Sequence, residues 1–285
     1  AQTARLLGLS QQQAQRALGI AATLGGGLSQ NIGNMGMGLH AGNASRNGIT
    51  AALLAKEGFT ADERPLEGRF GLLDALCGPG QYDASRLTAN LGAPFGLENP
   101  GITIKPYPNC WAHHKVLQAV LELREKHAIA PENVERVEVD LQTDKPTYRY
   151  TAPKTDLEAR YSLGYGIALA LLDGELTLAQ YAPERLQRQD TLEMLGRIQN
   201  VPAADEQARQ TVTICMKNGQ RYSGRVQYSK GHPLYDPMCL SEVQEKYRLL
   251  AGRLLPQHQV EASMQAIVHM EEAADVSDVM DLLVV

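Results

Sequence analysis

The stretch from Gly38 to Thr60 reads GLHAGNASRNGITAALLAKEGFT. Glycine dominates its front half and alanine its back half. Gly33, Gly36, Gly38 and Gly42 make residues 31–42 read as a loop whose backbone can approach a ligand closely. From 43 to 57 the pattern predicts a helix, closed by Gly58 as a left-handed cap. Ala44, Gly48 and Ala52 recur at a spacing of four, so this helix is expected to press closely against a neighbour. Upstream, Ser10 and Gln13 form a capping-box pair, and Ala14, Ala17, Leu18 and Ala21 repeat at helical spacing up to the triplet Gly25 to Gly27. The chain therefore opens as helix against helix.

Downstream, Asn99-Pro100-Gly101 breaks the pattern and a different texture follows. Residues 102–105 read as a strand, and 111–127 as an amphipathic helix through Val116, Leu117, Val120, Leu121 and Leu123. Val134, Val137, Val139 and Leu141 mark a strand, and 157–172 a helix with Gly174 beyond its end. Strands at 211–216 and 222–228 are joined across Asn218-Gly219, a favoured pair for a tight hairpin. From Asp236 the chain returns to helix: 241–255 with Glu245, Lys246 and Arg248 outward, then 260–270, then a short turn near 276–283. The order helical, α+β, helical predicts a mainly α protein carrying an inserted α+β unit. The expected divisions are a first helical part at 1–101, an α+β lid at 102–229 and a second helical part at 230–285.

Composition narrows the partners. The 285 residues hold 27 Lys plus Arg against 32 Asp plus Glu, a net charge of -5, and 44% apolar side chains. No broad basic field exists for a nucleic-acid backbone, and no Lys/Arg-rich helix for a membrane surface. The longest apolar run, around residues 167–172, falls far short of the roughly 20 residues of a membrane span. Cys77, Cys110, Cys215 and Cys239 lie far apart without a CxxC pair, which argues against a zinc knuckle or disulfide framework and fits a reducing cytoplasm. Charge is uneven: residues 1–56 contain no Asp or Glu but carry Arg5, Arg16, Arg46 and Lys56, so this part is either buried or faces an anion. Residues 261–285 contain Glu261, Glu271, Glu272, Asp275, Asp278 and Asp281 and no Lys or Arg, the pattern of a solvated face.

Three segments could carry chemistry. In Met35 to Asn43, N–H groups of a glycine-rich loop, with the positive end of the following helix, would suit a carboxylate or phosphate. His40 either exchanges a proton with such an anion or simply packs at the helix start. Neither a Walker pattern nor GxGxxG after a strand is present, which disfavours a nucleotide. In Lys105 to His114, Asn109 is the expected N-cap, and Cys110 and His114 share one helical face while His113 points to solvent. A thiol there would have its thiolate favoured; equally, both side chains could be packing residues. These two alone fall short of a closed zinc site. In Ala159 to Ala168, Ser162 and Tyr165 are hydroxyls on an apolar helix, satisfied internally or offered to a ligand.

The order and wording of five stretches resemble the MmgE/PrpD family, which includes 2-methylcitrate dehydratases, cis-aconitate decarboxylases and iminodisuccinate epimerases. They are LLGLSQQQAQRALGIAATLGGGL, GLHAGNASRNGITAALLAKEGFT, KPYPNCWAHHKVLQAV, LEARYSLGYGIALALLDGE and GHPLYDPMCLSEVQEKYRLLAG. The resemblance implies two domains, a helical one made from both chain ends and an inserted α+β lid, usually dimeric and without metal or organic cofactor. It also implies acid/base chemistry on a small di- or tricarboxylic acid in the cleft between them. By position, His40 matches a family histidine, Cys110 falls where decarboxylases carry a catalytic histidine, His114 matches a histidine after the YP motif, and Ser162 and Tyr165 lie in the F-S-L-x-Y stretch. Two departures stand out: Met37 occupies the place of a lysine, and the family's early helical segment would precede Ala1.

The expectation is thus a lyase (dehydratase) or epimerase, cytoplasmic and homodimeric. His40, Cys110, His114 and Tyr165 would be catalytic; Gly38, Gly42, Asn43, Arg46 and Ser162 would bind substrate. The alternative is a non-catalytic homologue that binds a carboxylate or serves as a dimeric scaffold; a thiol-dependent enzyme using Cys110 is a third possibility.

Overall fold

Ser10 starts the first long helix as expected: its hydroxyl accepts from Gln13 N, and the Gln13 side chain returns a bond to the Ser10 amide. The computed structural model describes residues 1–142, 144–205 and 208–284. After the short α1 (Gln2–Leu6), α2 (Gln11–Thr23) packs along α3 (Met35–Lys56). Ala17 and Ile20 of α2 meet Ala51, Ala52 and Ala55 of α3 in a small apolar core. Small side chains let the two backbones approach there, but of the stripe at a spacing of four only Ala52 takes part: Ala44 is exposed and a Cβ at Gly48 would meet nothing within 4 Å.

The glycine-rich stretch departs from expectation. Residues 35–42 are not a loop but the first two turns of α3. Each glycine costs about 1 kcal/mol of helix propensity relative to alanine. Against that, Asn34 caps the helix, its Oδ1 accepting from Gly36 N at 2.9 Å, and the turns simply extend a helix anchored at its far end. After α4 (Leu72–Cys77), residues 102–105 form no strand; there Ile104 N donates to Gly231 O in an isolated tie.

The main apolar core lies further on, where α5 (His114–Lys126), β1 (Val134–Val139), α6 (Asp156–Arg160), α7 (Leu163–Asp173), α8 (Gln189–Gly196), β2 (Ile198–Asn200), β3 (Val212–Met216) and β4 (Arg221–Gly224) follow in order. The sheet has order β2-β1-β3-β4, with β1 parallel to β2 and antiparallel to β3. A register shift between Val134 and Arg136 lets Val134 and Val137 both face inward despite their odd spacing. The β3–β4 turn uses Asn218-Gly219, with Gly219 at φ +85° and Met216 N bonded to Gln220 O.

α7 is apolar on every side and buried from Leu163 to Leu171, the mark of a central helix. The helix predicted over 157–172 is broken at Tyr161 because Ser162 turns extended and starts α7 as its N-cap. Gly166 lets α5 cross closely: a Cβ there would stand 2.9 Å from Leu117 Cδ2. The chain closes with α9 (Leu240–Ala251), α10 (Gln257–Val268) and α11 (Val276–Asp281). Of the C-terminal acids, Glu261 pairs with Arg248 while Glu271, Glu272, Asp275, Asp278 and Asp281 are exposed, as a solvated face requires. The fold is mainly helical with one small mixed sheet. Among the described residues no helix is long and apolar enough to cross a membrane.

Candidate active site

The segment Lys105 to His114 is fixed at almost every residue. The Lys105 carbonyl accepts from Lys246 Nζ of α9 at 2.6 Å. Asn109, buried, accepts on Oδ1 from the Tyr181 hydroxyl at 2.8 Å. Cys110 N donates to Arg160 O at 3.1 Å, and the Ala112 carbonyl accepts from the Tyr148 hydroxyl at 2.7 Å. A backbone held from so many elements is preorganised, and Cys110 is the half-buried side chain it presents.

Local structure corrects several expectations here. Asn109 is not an N-cap; Cys110 precedes a single 3₁₀ turn over Trp111–His113, and α5 begins at His114. That turn swings His113 inward, where its Nε2–H donates to Thr147 O at 2.8 Å and its ring meets Tyr148, so it is buried rather than in solvent. His114 is equally buried, its ring between Tyr107 and Trp111 with centroids 5.2 and 4.9 Å away and its Nε2–H donating to Asn109 O. Burial pulls both imidazoles down to about 4, so they are neutral at physiological pH. Burial also pushes the Cys110 thiol up, outweighing the Ala112 backbone contact and the Lys105 charge that pull it down. The thiolate is therefore not favoured.

Charge gathers around this segment. Lys246 is not outward: it is half-buried, and burial followed by the charge of Lys105 lowers its pKa. Neither Lys105 nor Lys246 makes an ion pair with a carboxylate among the described residues. Across from Cys110, Tyr161 donates its hydroxyl to Met37 Sδ at 3.1 Å, which brings α3 to the segment. Arg149 and Tyr150 strengthen that docking by donating to Ile32 O at 3.1 and 3.2 Å.

His40, one turn after Met37, lines a cleft of about 420 Å³ with Gly27, Asn43 and Asn47. Gly38, Gly42 and Arg46 lie on exposed faces of α3, in helix rather than in an anion-holding loop. The Ser162 oxygen accepts from Tyr165 N at 3.2 Å and is thereby used as the cap of α7. Tyr165 is 1% exposed, its hydroxyl has no hydrogen-bond partner among the described residues, and burial pushes it up to about 12. The structure thus brings Met37 and Cys110 to one place through Tyr161, keeps His40 one turn away, and leaves Ser162 and Tyr165 in the core. Tyr161, Lys246 and Asn109 as an anchor were missed; the quoted segments contain all three, but their partners are distant in sequence. No three His, Cys, Asp or Glu side chains among the described residues gather as a metal site.

This arrangement, a small mixed sheet set among helices with a pinned Pro-Tyr-Pro-Asn-Cys segment, is accompanied by matches over most of the chain. Residues 1–85 match the MmgE/PrpD N-terminal domain and residues 107–272 the MmgE/PrpD C-terminal domain. The chain belongs to the MmgE/PrpD family. It is 26% identical over 303 residues to cis-aconitate decarboxylase of Mus musculus, covering 99% of this chain and 59% of the relative. It is 26% identical over 299 residues to the Homo sapiens enzyme of that name, covering 99% and 60%, and 26% over 309 residues to that of Aspergillus terreus (strain NIH 2624 / FGSC A1156), covering 99% and 61%. The chain spans about three fifths of the length of these curated relatives.

Proposed function

We propose that the chain acts as an acid/base lyase or epimerase on a small tricarboxylate, moving a proton next to a carboxylate. The observation that carries this reading is the pair Lys105 and Lys246, two ammonium groups beside the Cys110 segment with no carboxylate partner among the described residues. Two uncompensated cations at a preorganised loop are arranged for an anion with more than one negative group. The relatives named as cis-aconitate decarboxylases support a substrate of that class. Proton transfer is the step that dehydration, decarboxylation and epimerisation have in common.

In this reading Lys105 and Lys246 hold carboxylates, Cys110 stands at the reacting carbon and His40 receives or returns the proton. Asn43, in the cleft with His40, would hydrogen-bond the substrate, and Arg46 adds positive charge on the exposed face of α3. Buried His114 positions the loop. The division into helical parts at 1–101 and 230–285 around a lid at 102–229, and assembly as a homodimer, belong to the same proposal.

The test is solvent exchange: the purified protein in D₂O with cis-aconitate, citrate or 2-methylcitrate, followed by NMR. Deuterium should enter at carbon next to a carboxylate, and His40→Ala should abolish it. If none of the acids exchanges, the enzyme reading fails. A second reading, a carboxylate-binding homologue without turnover, is favoured by Met37, since a thioether cannot supply a charge-assisted bond worth about 1.5–3 kcal/mol. Activity that arises only in Met37→Lys would decide for it.

A further inference from the structure

We infer that Tyr161 is the neutral hydrogen-bond donor that receives the reacting carboxylate, an inference that rests on the tricarboxylate reading above. Its hydroxyl is half-free. The bond to Met37 Sδ at 3.1 Å uses a thioether, a weak acceptor, so exchanging it for a carboxylate oxygen costs little and gains a charge-assisted bond. The backbone beneath it is fixed: Arg160 O accepts from Cys110 N at 3.1 Å, and the next turn is set by the Ser162 cap. The phenol is thus carried by the same tie that carries Cys110.

Position also sets its chemistry. Tyr161 is half-buried against Met37 of α3, and burial followed by Cys110 raises its pKa. It stays a protonated donor throughout the physiological range. The hydroxyl stands against Met37 of α3, which offers it only a thioether. A neutral donor at this point can bind a carboxylate and stabilise charge developing on it without requiring a cation from residue 37.

The test uses the whole chain with ¹³Cζ-labelled tyrosine and tricarballylate, an unreactive tricarboxylate. Tyr161→Phe assigns the Tyr161 resonance by its loss. In the wild type that resonance should shift on titration, and Tyr161→Phe should weaken tricarballylate by about 10- to 100-fold, the equivalent of one charge-assisted bond. Should Tyr161→Phe unfold, the wild-type titration decides alone, with assignment by a ¹³C–¹⁵N label pair. If tricarballylate binds but the resonance stays and the phenylalanine variant binds equally, the role of Tyr161 is overturned and the substrate reading survives. If the wild type neither binds tricarballylate nor exchanges protons of any tested acid, the substrate reading falls and takes this inference with it.

Discussion

The Tyr181 hydroxyl donates to Asn109 Oδ1 at 2.8 Å, and both residues are only 2% exposed. This buried bond ties the chain after α7 to the loop that presents Cys110. Tyr181→Phe leaves a buried amide oxygen unpaired, which should cost about 1–3 kcal/mol. Replacing both, Asn109→Leu with Tyr181→Phe, removes the orphan and should recover part of that loss. Urea unfolding of the two single variants and the double variant measures the coupling; simple additivity would deny the tie.

His113 and His114 make stability depend on acid. Both are held neutral by burial, titrating near 4 in the folded chain against 6.5 when exposed. Between those values the unfolded state binds more protons, so stability is full above pH 6.5 and is lost progressively as pH falls toward 4. Each histidine should contribute on the order of 3 kcal/mol to that loss. Urea midpoints at pH 7.5 and 5 should differ accordingly, and His113→Phe should flatten the difference if it folds. An unchanged midpoint across this interval would contradict the burial.

Local signals were legible in the sequence. The Ser10–Gln13 capping box and the Asn218-Gly219 turn involve neighbours, and Gly174 at φ +77° closes α7 where its position foretold. The overall texture, mainly helical with a small sheet, followed from periodicity. What escaped reading depended on distant partners. Met37 meets Tyr161 across 124 residues, and Lys246 meets Lys105 across 141. Glycine density misled at residues 35–42, where the Asn34 cap and the continuing helix outweigh propensity. His113 was misjudged because a 3₁₀ turn advances about 120° per residue, so a helical wheel places it on the wrong side.

Cys110 should behave as a thiol, not a thiolate. Its burial raises the pKa, so iodoacetamide labelling of Cys110 should be slow at neutral pH and still climbing as pH passes that of an ordinary cysteine. Exposed Cys77 and Cys239 should label first. Mass spectrometry of labelled peptides across pH separates the sites. A Cys110 rate that is high and flat down to neutral pH would instead restore the thiol-dependent enzyme as the better reading.

Lys246 links α9 to the candidate site through its bond to Lys105 O, and substitution tests whether its charge also meets a carboxylate. Lys246→Met removes the ammonium that holds Lys105 O and the charge that would meet a carboxylate, so tricarballylate should bind about 10- to 100-fold more weakly. Lys246→Arg restores the charge and should recover part of the affinity, with the fork geometry limiting the rest. The pH limb gives the sign. Burial and Lys105 lower the pKa of Lys246, so in the wild type tricarballylate affinity should fall as pH rises through that lowered value, before an ordinary lysine would lose its proton. In Lys246→Arg this limb should move to higher pH, because guanidinium keeps its charge. Calorimetric titrations from pH 7 to 10 measure both. An alkaline limb identical in wild type and Lys246→Arg would assign the loss to another group and remove Lys246 from the carboxylate site, leaving it as a tie to the loop alone.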